Sequence, residues 1–256
     1  MKLNTRIYLS LPIAYLAGLF LAVVPLHAAD NTMELPSQAV ARQLHYLSPD
    51  KPSAASLLAP PPLMDSAEQA ADMDEVRKVY HAASSNDRAA AYAEKKFTVF
   101  NFSDAVGSFF VETNLPKTAT FFKNVQLDAE TVTDLGKDYF HRPRPFTTDP
   151  SLANGKLEKS FSYPSGHSTE SMVLALVLAE AIPEKQDAII AHARLIGWHR
   201  VQIARHYPTD IYAGRALAKA IVHELNENQT FQNELSEVKV EIAAAQNQVP
   251  AGSNQK

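Results

Sequence analysis

The chain has 256 residues, 46% of them hydrophobic, and a formal net charge of −4. This length is sufficient for one well-buried core or two small domains. The negative charge, without a stripe of basic and aromatic residues, argues against a nucleic-acid-binding protein. The sequence contains no cysteine, which excludes disulfides, thiolate metal sites and cysteine nucleophiles.

Residues 1–29 have the pattern of a secretory signal peptide. Two basic residues precede an apolar run from Ile7 to Leu26, and small residues close the segment. The alternative is an uncleaved anchor helix, because the run is nearly long enough to span a bilayer. Two prolines within the run and the Ala-Ala-Asp junction favour cleavage after Ala28 or Ala29. We therefore expect a periplasmic protein whose mature part has no membrane span.

The remainder predicts helices joined by loops, after an extended, proline-rich leader at residues 30–63. No alternating strand pattern and no internal repeat is present. Helices are expected at residues 66–101 (one or two), 101–120 (buried), 121–140, 165–179, 183–204, 211–225 and 231–245, with a proline-rich loop at 141–163. The sequence therefore predicts an all-α fold with a single compact helical domain at 64–256.

One stretch near the end combines a histidine, a carboxylate and an arginine. Arg200 precedes His206 by six residues, Asp210 follows it by four, and Pro208 predicts a helix break between them, with Thr209 or Asp210 capping the next helix. A histidine held by an aspartate has a fixed tautomer, which leaves its other nitrogen free to act as a base or nucleophile. Alone, the stretch also fits a plain capped helix.

Two upstream stretches add groups that favour an anion. Lys137 and Arg144 flank a predicted helix end, and Ser165, Gly166 and His167 open an apolar helix. Backbone N–H groups at a helix start stabilise anions, and glycine allows a close approach. Transfer of a phosphoryl group requires this kind of charge stabilisation. The residues together predict a phosphoryl-transfer site with one histidine as nucleophile and the other as acid.

Three motifs carry a resemblance to a known family: Lys137-x6-Arg144-Pro145, Pro164-Ser165-Gly166-His167 and Arg200-x5-His206-x3-Asp210. In this order they resemble the signature of the type-2 phosphatidic-acid phosphatase superfamily, which also contains the vanadium haloperoxidases. Within it, the chain resembles the bacterial class A non-specific acid phosphatases. The signal peptide, the Leu-Leu-x-Pro-Pro-Pro segment and the helical tail also match that class in order.

The resemblance implies a compact helical bundle that hydrolyses small phosphomonoesters to inorganic phosphate through a phosphohistidine. It implies no metal and no cofactor, and a homo-oligomer. The nucleophile would be His206, with Asp210 as its partner and His167 as general acid. The implied phosphate-binding residues are Lys137, Arg144, Ser165, Gly166 and Arg200.

Other functions are compatible with parts of this pattern. A vanadium-dependent haloperoxidase would hold vanadate in the same pocket, but those enzymes are generally longer. A lipid phosphatase of the membrane branch needs several spanning helices that the sequence lacks, and a simple phosphate-binding protein gives no reason for two histidines. Phosphotransferase activity, in which an alcohol replaces water, would use the same site.

One residue departs from the family pattern. His199 stands where the family usually has a serine, immediately before the arginine of the third motif. A larger, titratable side chain there can change a hydrogen bond near the phosphate or alter the pH profile. Packing outside the site is the favoured interpretation.

Overall fold

The computed structural model describes residues 44–48 and 50–248. The expected signal peptide and the first part of the expected leader lie outside these residues. The described chain contains no β-strand and only one isolated bridge, between Ser48 and Lys51. The all-α prediction is therefore confirmed.

Seven helices have nine residues or more in the described range. They are α1 (Ala67–Ala82), α2 (Ser85–Ala93), α3 (Pro116–Phe140), α4 (Gly166–Ala181), α5 (Gln186–Gln202), α6 (Pro208–Asn226) and α7 (Gln229–Gln248). Shorter helical turns connect them at Ala54–Leu57, Val99–Phe102, Ser103–Val106, Glu112–Asn114, Pro145–Thr148, Pro150–Leu152 and Pro183–Lys185. None of the helices between residues 44 and 248 has the length and apolarity to span a membrane.

Helix α4 lies at the centre of the bundle. It is apolar around nearly its whole circumference, and Val173, Leu174, Val177 and Leu178 are fully buried. An all-round apolar helix is stable only inside a core, so α3, α5 and α6 pack against it. The predicted buried helix here is confirmed.

Two glycines allow α5 and α6 to approach the first turn of α4. A Cβ on Gly214 of α6 would lie 2.9 Å from the Ser165 carbonyl oxygen, and one on Gly197 of α5 would lie 3.2 Å from Ser168 Cβ. The first distance is too short for any larger residue at Gly214, because real Cβ atoms do not come that close to backbone, and the second would require Ser168 to shift by a few tenths of an ångström. The start of α4 is therefore held tightly between the two helices that carry the third motif.

The predicted helix over residues 101–120 is wrong. The chain forms three short turns there, because Gly107 adopts a φ of +139° and Pro116 begins α3. Phe109 and Phe110 are buried as expected, but in the loop between the turns, and Val111 is 38% exposed. Buried aromatic residues were interpreted as a helix because burial alone does not distinguish a helix from a packed loop.

Candidate active site

The three predicted motifs meet where α4 and α6 begin and where α3 and α5 end. Arg144 Nη1 lies 3.2 Å from His206 Nε2, and His206 Nδ1 lies 3.3 Å from Asp210 Oδ2. The Ser165 N–H donates to the Asp210 carbonyl at 3.1 Å. The remaining predicted site residues are Lys137, Gly166, His167 and Arg200, and they lie in the same part of the molecule.

His206 is positioned by a tight turn between α5 and α6. Helix α5 ends at Gln202, two residues earlier than predicted, and Ala204 adopts a φ of +52°. That left-handed conformation is uncommon for alanine. The turn places the imidazole of His206 in the interior, where the residue is only 2% exposed.

The partners of the His206 ring define its tautomer. Arg144 can only donate, so Nε2 faces a donor and carries the lone pair, whereas Nδ1 carries the proton toward Asp210. Burial lowers the pKa of His206 well below its usual value, and the charges of Arg144, Arg200 and Lys137 lower it further. His206 is therefore neutral, with its lone pair on Nε2.

Asp210 lies in the first turn of α6 and is completely buried. The prediction that Thr209 or Asp210 caps the helix is wrong, because Pro208 is already the first helical residue. Asp210 accepts a hydrogen bond from the Tyr207 N–H at 2.9 Å. Its other acceptor contacts are with Ser162 Oγ at 2.5 Å and Arg142 Nη1 at 2.6 Å. Burial raises the pKa of Asp210, and the Arg142 guanidinium opposes that rise.

Arg142 connects Asp210 to helix α1. Its Nη2 donates to Asp72 at 2.7 Å and to Gln69 at 2.5 Å, and its guanidinium lies 3.9 Å from the centre of the Tyr207 ring. Arg142 and Asp72 were not among the predicted site residues. The run Arg142-Pro143-Arg144-Pro145 was the available signal for the arginine, whereas Asp72 resembles any polar residue of an amphipathic helix.

Arg144 is held in one orientation by its other contacts. Its Nε donates to the Ser160 carbonyl at 2.7 Å, and its Nη1 donates to the Arg205 carbonyl at 2.9 Å. Burial lowers the pKa of Arg144 to about 10, so it remains charged at neutral and acid pH.

Lys137 and the start of α4 form a second positive edge. Lys137 is 9% exposed, and its Nζ bonds Asp134 at 2.7 Å. A Cβ on Gly166 would lie 3.4 Å from Lys137 Nζ, so the absence of a side chain keeps space beside the ammonium group. Ser165 is the fully buried N-cap of α4 and accepts from the Ser168 N–H. The backbone donors and the lysine suit an anion.

Arg200 has a fully buried donor without a partner among the described residues. Its Nη2 donates to Glu158 Oε1 at 2.5 Å, whereas its Nε is buried without a hydrogen-bond partner in the described part of the chain. A buried, unpaired guanidinium donor is unfavourable unless a ligand completes it. Burial lowers the pKa of Arg200, and Glu158 opposes that effect.

His167 contacts the chain just after α2. Its Nε2 lies 3.2 Å from the Glu94 carbonyl oxygen, and Glu94 Oε2 lies 2.7 Å from His199 Nδ1. His199 therefore contacts the residue that holds His167, although it makes no described contact with the positively charged groups. Burial lowers the pKa of His167 well below its usual value, and Arg200 and His206 lower it further.

These observations define an all-α domain in which a buried histidine lies close to two guanidinium groups and one ammonium group. The PAP2 superfamily model matches residues 122–230, which include all three motifs. Residues 122–230 thus form a PAP2 superfamily domain, as the resemblance of the three motifs predicted.

Similar proteins include two curated acid phosphatases. The non-specific acid phosphatase of Providencia stuartii is 35% identical over 148 residues, which cover 56% of this chain and 60% of that protein. The non-specific acid phosphatase of Salmonella typhimurium is 33% identical over 55% of this chain and 59% of that protein. The chain thus spans about three fifths of the length of these relatives. Among solved structures, a bacterial vanadium-dependent iodoperoxidase is 21% identical with a TM-score of 0.48, over 68% of this chain and 54% of that chain.

Proposed function

We propose that this protein is a periplasmic acid phosphatase. It hydrolyses small phosphomonoesters through a phosphohistidine intermediate on His206, and it does so without a metal ion. The family match and the relatives named non-specific acid phosphatase support the reaction class.

One observation supports the mechanism above all others. His206 Nε2, which carries the lone pair, lies beside Arg144, while Nδ1 is held by Asp210. A neutral imidazole with its free nitrogen next to a fixed cation is arranged to attack a phosphorus atom whose oxygens that cation binds.

The proposed reaction has two steps. In the first, Nε2 forms a bond to phosphorus, the bond from phosphorus to the ester oxygen breaks, and His167 gives its proton to the departing alcohol. In the second, His167 takes a proton from water, the water oxygen bonds to phosphorus, and the bond to Nε2 breaks. Inorganic phosphate then leaves, and Asp210 stabilises the positive charge that the His206 ring carries in the intermediate.

The acid requirement follows from the electrostatics of His167. Burial and the neighbouring cations lower its pKa in the substrate-free protein, so His167 is neutral there. A bound phosphate adds negative charge, which offsets Arg200 and Lys137 and favours protonation of the ring. A low pH assists the same protonation, whereas His206 stays neutral because its pKa is also low.

The positive charge for the transition state comes from protein side chains. Lys137, Arg144 and Arg200 provide three cations, and the described residues contain no group of histidines and carboxylates suited to hold a metal ion. Arginine is suited to forked contacts with phosphate oxygens. Export to the periplasm is proposed from the signal-peptide pattern of residues 1–29.

The test is hydrolysis of an aryl phosphate by the purified protein from pH 4 to pH 9, with and without a chelator. We expect chelator-resistant activity with an acid optimum, and a loss of at least about 1000-fold in a His206→Ala variant. His223→Ala is the matched control. This exposed histidine lies 13 residues after Asp210 in α6, about 20 Å along the axis, and its removal should leave activity unchanged.

Other results would contradict the proposal. Activity that the chelator removes would require a metal ion, and activity that survives in His206→Ala would require a different nucleophile. Absence of phosphatase activity, together with bromide oxidation by peroxide in the presence of vanadate, would favour a haloperoxidase. Transfer of the phosphoryl group to an added alcohol would show phosphotransferase activity at the same site.

A further inference from the structure

A carboxylate from the loop before α4 lies against the cations of the site. Glu158 Oε1 accepts a hydrogen bond from Arg200 Nη2 at 2.5 Å, and Glu158 Oε2 lies 2.8 Å from Arg205 Nε. Both arginines are buried, with side chains 3% and 2% exposed, whereas the Glu158 side chain is 28% exposed. The carboxylate thus reaches the arginines from the solvent side.

We propose that Glu158 determines the affinity for the phosphoryl group, because its carboxylate occupies a position on Arg200 that a substrate phosphate takes. Substrate binding then exchanges one anion for another. This inference rests on the proposed function, since it treats Arg200 as a phosphate-binding residue.

The contacts of Arg200 support an exchange. Its Nη2 is used by Glu158, and its Nε is buried without a partner in the described part of the chain. Arginine binds phosphate best with two parallel N–H groups. A forked contact through Nε and Nη2 would place phosphate oxygens on the same nitrogen that Glu158 uses, beside its negative charge. The two anions therefore compete for Arg200.

Arg205 forms a second ion pair with Glu158, which can persist when Glu158 releases Arg200. The ion pair with Arg205 Nε does not involve Arg200, and its two charges lie 2.8 Å apart, although Glu158 Oε2 has no partner with hydrogen-bond geometry among the described residues. Release of Arg200 is less costly than for a carboxylate with a single cation, because a partly buried charge keeps one opposite charge close by. The ion pair therefore permits the Glu158 side chain to turn away from Arg200.

The loop around Glu158 is fixed on its N-terminal side. Asn154 Nδ2 donates to the Ile203 carbonyl at 3.2 Å, and the Tyr92 hydroxyl donates to Asn154 Oδ1. Arg205 Nη2 also donates to the carbonyl oxygen of Asn154. The Lys156 carbonyl also accepts from Arg205 Nη2 at 3.4 Å, and the Ser160 carbonyl accepts from Arg144 Nε at 2.7 Å, so the backbone is held on both sides of Glu158. An exchange therefore requires only a change in the position of the Glu158 side chain.

A different role for Glu158 makes the opposite prediction. If its carboxylate served to orient Arg200 for the substrate, its removal would weaken phosphate binding, because a misplaced guanidinium loses its hydrogen bonds. If it competes with the substrate, its removal strengthens phosphate binding. The direction of the change therefore decides between the two roles.

The experiment is calorimetric titration of the purified protein with inorganic phosphate, for the parent chain and for Glu158→Gln. We expect the variant to bind phosphate about tenfold more tightly, since a charged competitor has been replaced by a neutral one of the same size. In aryl phosphate hydrolysis, KM should fall by a similar factor while kcat stays within about twofold. Glu158→Ala should change affinity in the same direction.

Glu184→Gln is the matched control for net charge. Glu184 is exposed and lies beyond the C-terminal end of α4, about 24 Å from the first turn of that helix. The Glu184→Gln variant should therefore bind phosphate with the same affinity as the parent chain. Equal or weaker affinity in Glu158→Gln, with phosphatase activity intact, would overturn this inference alone. If neither protein bound phosphate and neither had phosphatase activity, the proposed function would fall with it.

Discussion

The two sides of the site differ in how their charged groups are satisfied. On the base side (Arg142, His206 and Asp210, with Asp72), the charged partners are buried and come from the protein itself. The anion side consists of Lys137, His167 and Arg200. Its two cations, Lys137 and Arg200, pair with carboxylates that are partly exposed to solvent. Those carboxylates, Asp134 and Glu158, have side chains 53% and 28% exposed.

This difference indicates when each side is organised. The base side is complete before any substrate arrives, so no reorganisation is needed to hold His206 in its reactive tautomer. We expect the substrate to complete the anion side, because a phosphate can replace exposed carboxylates at little cost. The predictions below test that division, beginning with the largest expected effect.

Breaking the base side should unfold the protein more readily. In Arg142→Met, two buried carboxylates, Asp72 and Asp210, lose their cation. We expect a loss of about 3–5 kcal/mol in the free energy of unfolding, because an unpaired buried charge is strongly destabilising. Urea unfolding followed by circular dichroism measures the change.

A surface arginine provides the control for this measurement. Arg77 also pairs with two carboxylates, Asp74 and Asp149, but its side chain is 46% exposed. Arg77→Met should cost less than about 1 kcal/mol, as exposed ion pairs do. Similar losses in the two variants would show that the Arg142 network contributes nothing special to stability.

The pH dependence of stability should reveal that the base side keeps His206 neutral without substrate. Burial lowers the pKa of His206 in the native protein, so below about pH 6.5 the unfolded chain binds a proton that the native protein does not. Stability therefore rises with pH through this window, and it is lost as pH falls below about 6.5. Each such group contributes about 1.4 kcal/mol per pH unit. In His206→Asn the slope between pH 5 and pH 6 should be smaller by that amount.

Glu170 provides a comparison of opposite sign. Burial raises its pKa to about 7, so its contribution to stability is complete below about pH 4.5 and is lost as pH rises toward 7. Glu170→Gln should therefore make the slope more positive between pH 5 and pH 7. An unchanged slope in His206→Asn would mean that His206 is protonated in the native protein, which would contradict its assignment as the nucleophile.

The sequence was sufficient for the parts of the site that lie at helix ends. Prolines and the apolar period placed the end of α3 and the start of α4, and they placed the start of α6 within three residues; these positions carry Lys137, Ser165 and Asp210. The residues of the three motifs therefore lie close together in the structure, because each motif coincides with a start or an end of a helix. The order of the helices follows from the same signals.

The contacts between distant segments could not be predicted in this way. Asp72 lies 70 residues before Arg142, and Glu158 lies 42 residues before Arg200. Neither carboxylate has a local pattern that distinguishes it from a solvated surface charge. Their roles depend on how α1 and the loop before α4 pack against the bundle, which hydrophobic periodicity does not specify.

The smallest expected effect concerns His199 on the anion side. His199 Nδ1 lies 2.7 Å from Glu94 Oε2, and the Glu94 carbonyl contacts His167. Serine in its place is too short to reach Glu94, so His199→Ser should loosen the position of His167. Loss of one such hydrogen bond is worth about 1 kcal/mol, which corresponds to an approximately fivefold lower kcat. KM should change by less than about twofold, because His199 makes no contact with the phosphate-binding cations.

The matched control is His192→Ser, seven residues earlier in α5, where the ring packs against Phe102 with a centroid distance of 5.3 Å. This variant removes the same ring two turns away and should leave kcat unchanged. If His199→Ser instead raised KM and left kcat unaltered, His199 would act on the phosphate cations rather than on His167. If kcat and KM both stayed the same, the backbone of Glu94 would be held by the end of α2 alone. The position of His167, the proposed acid, would then not depend on His199.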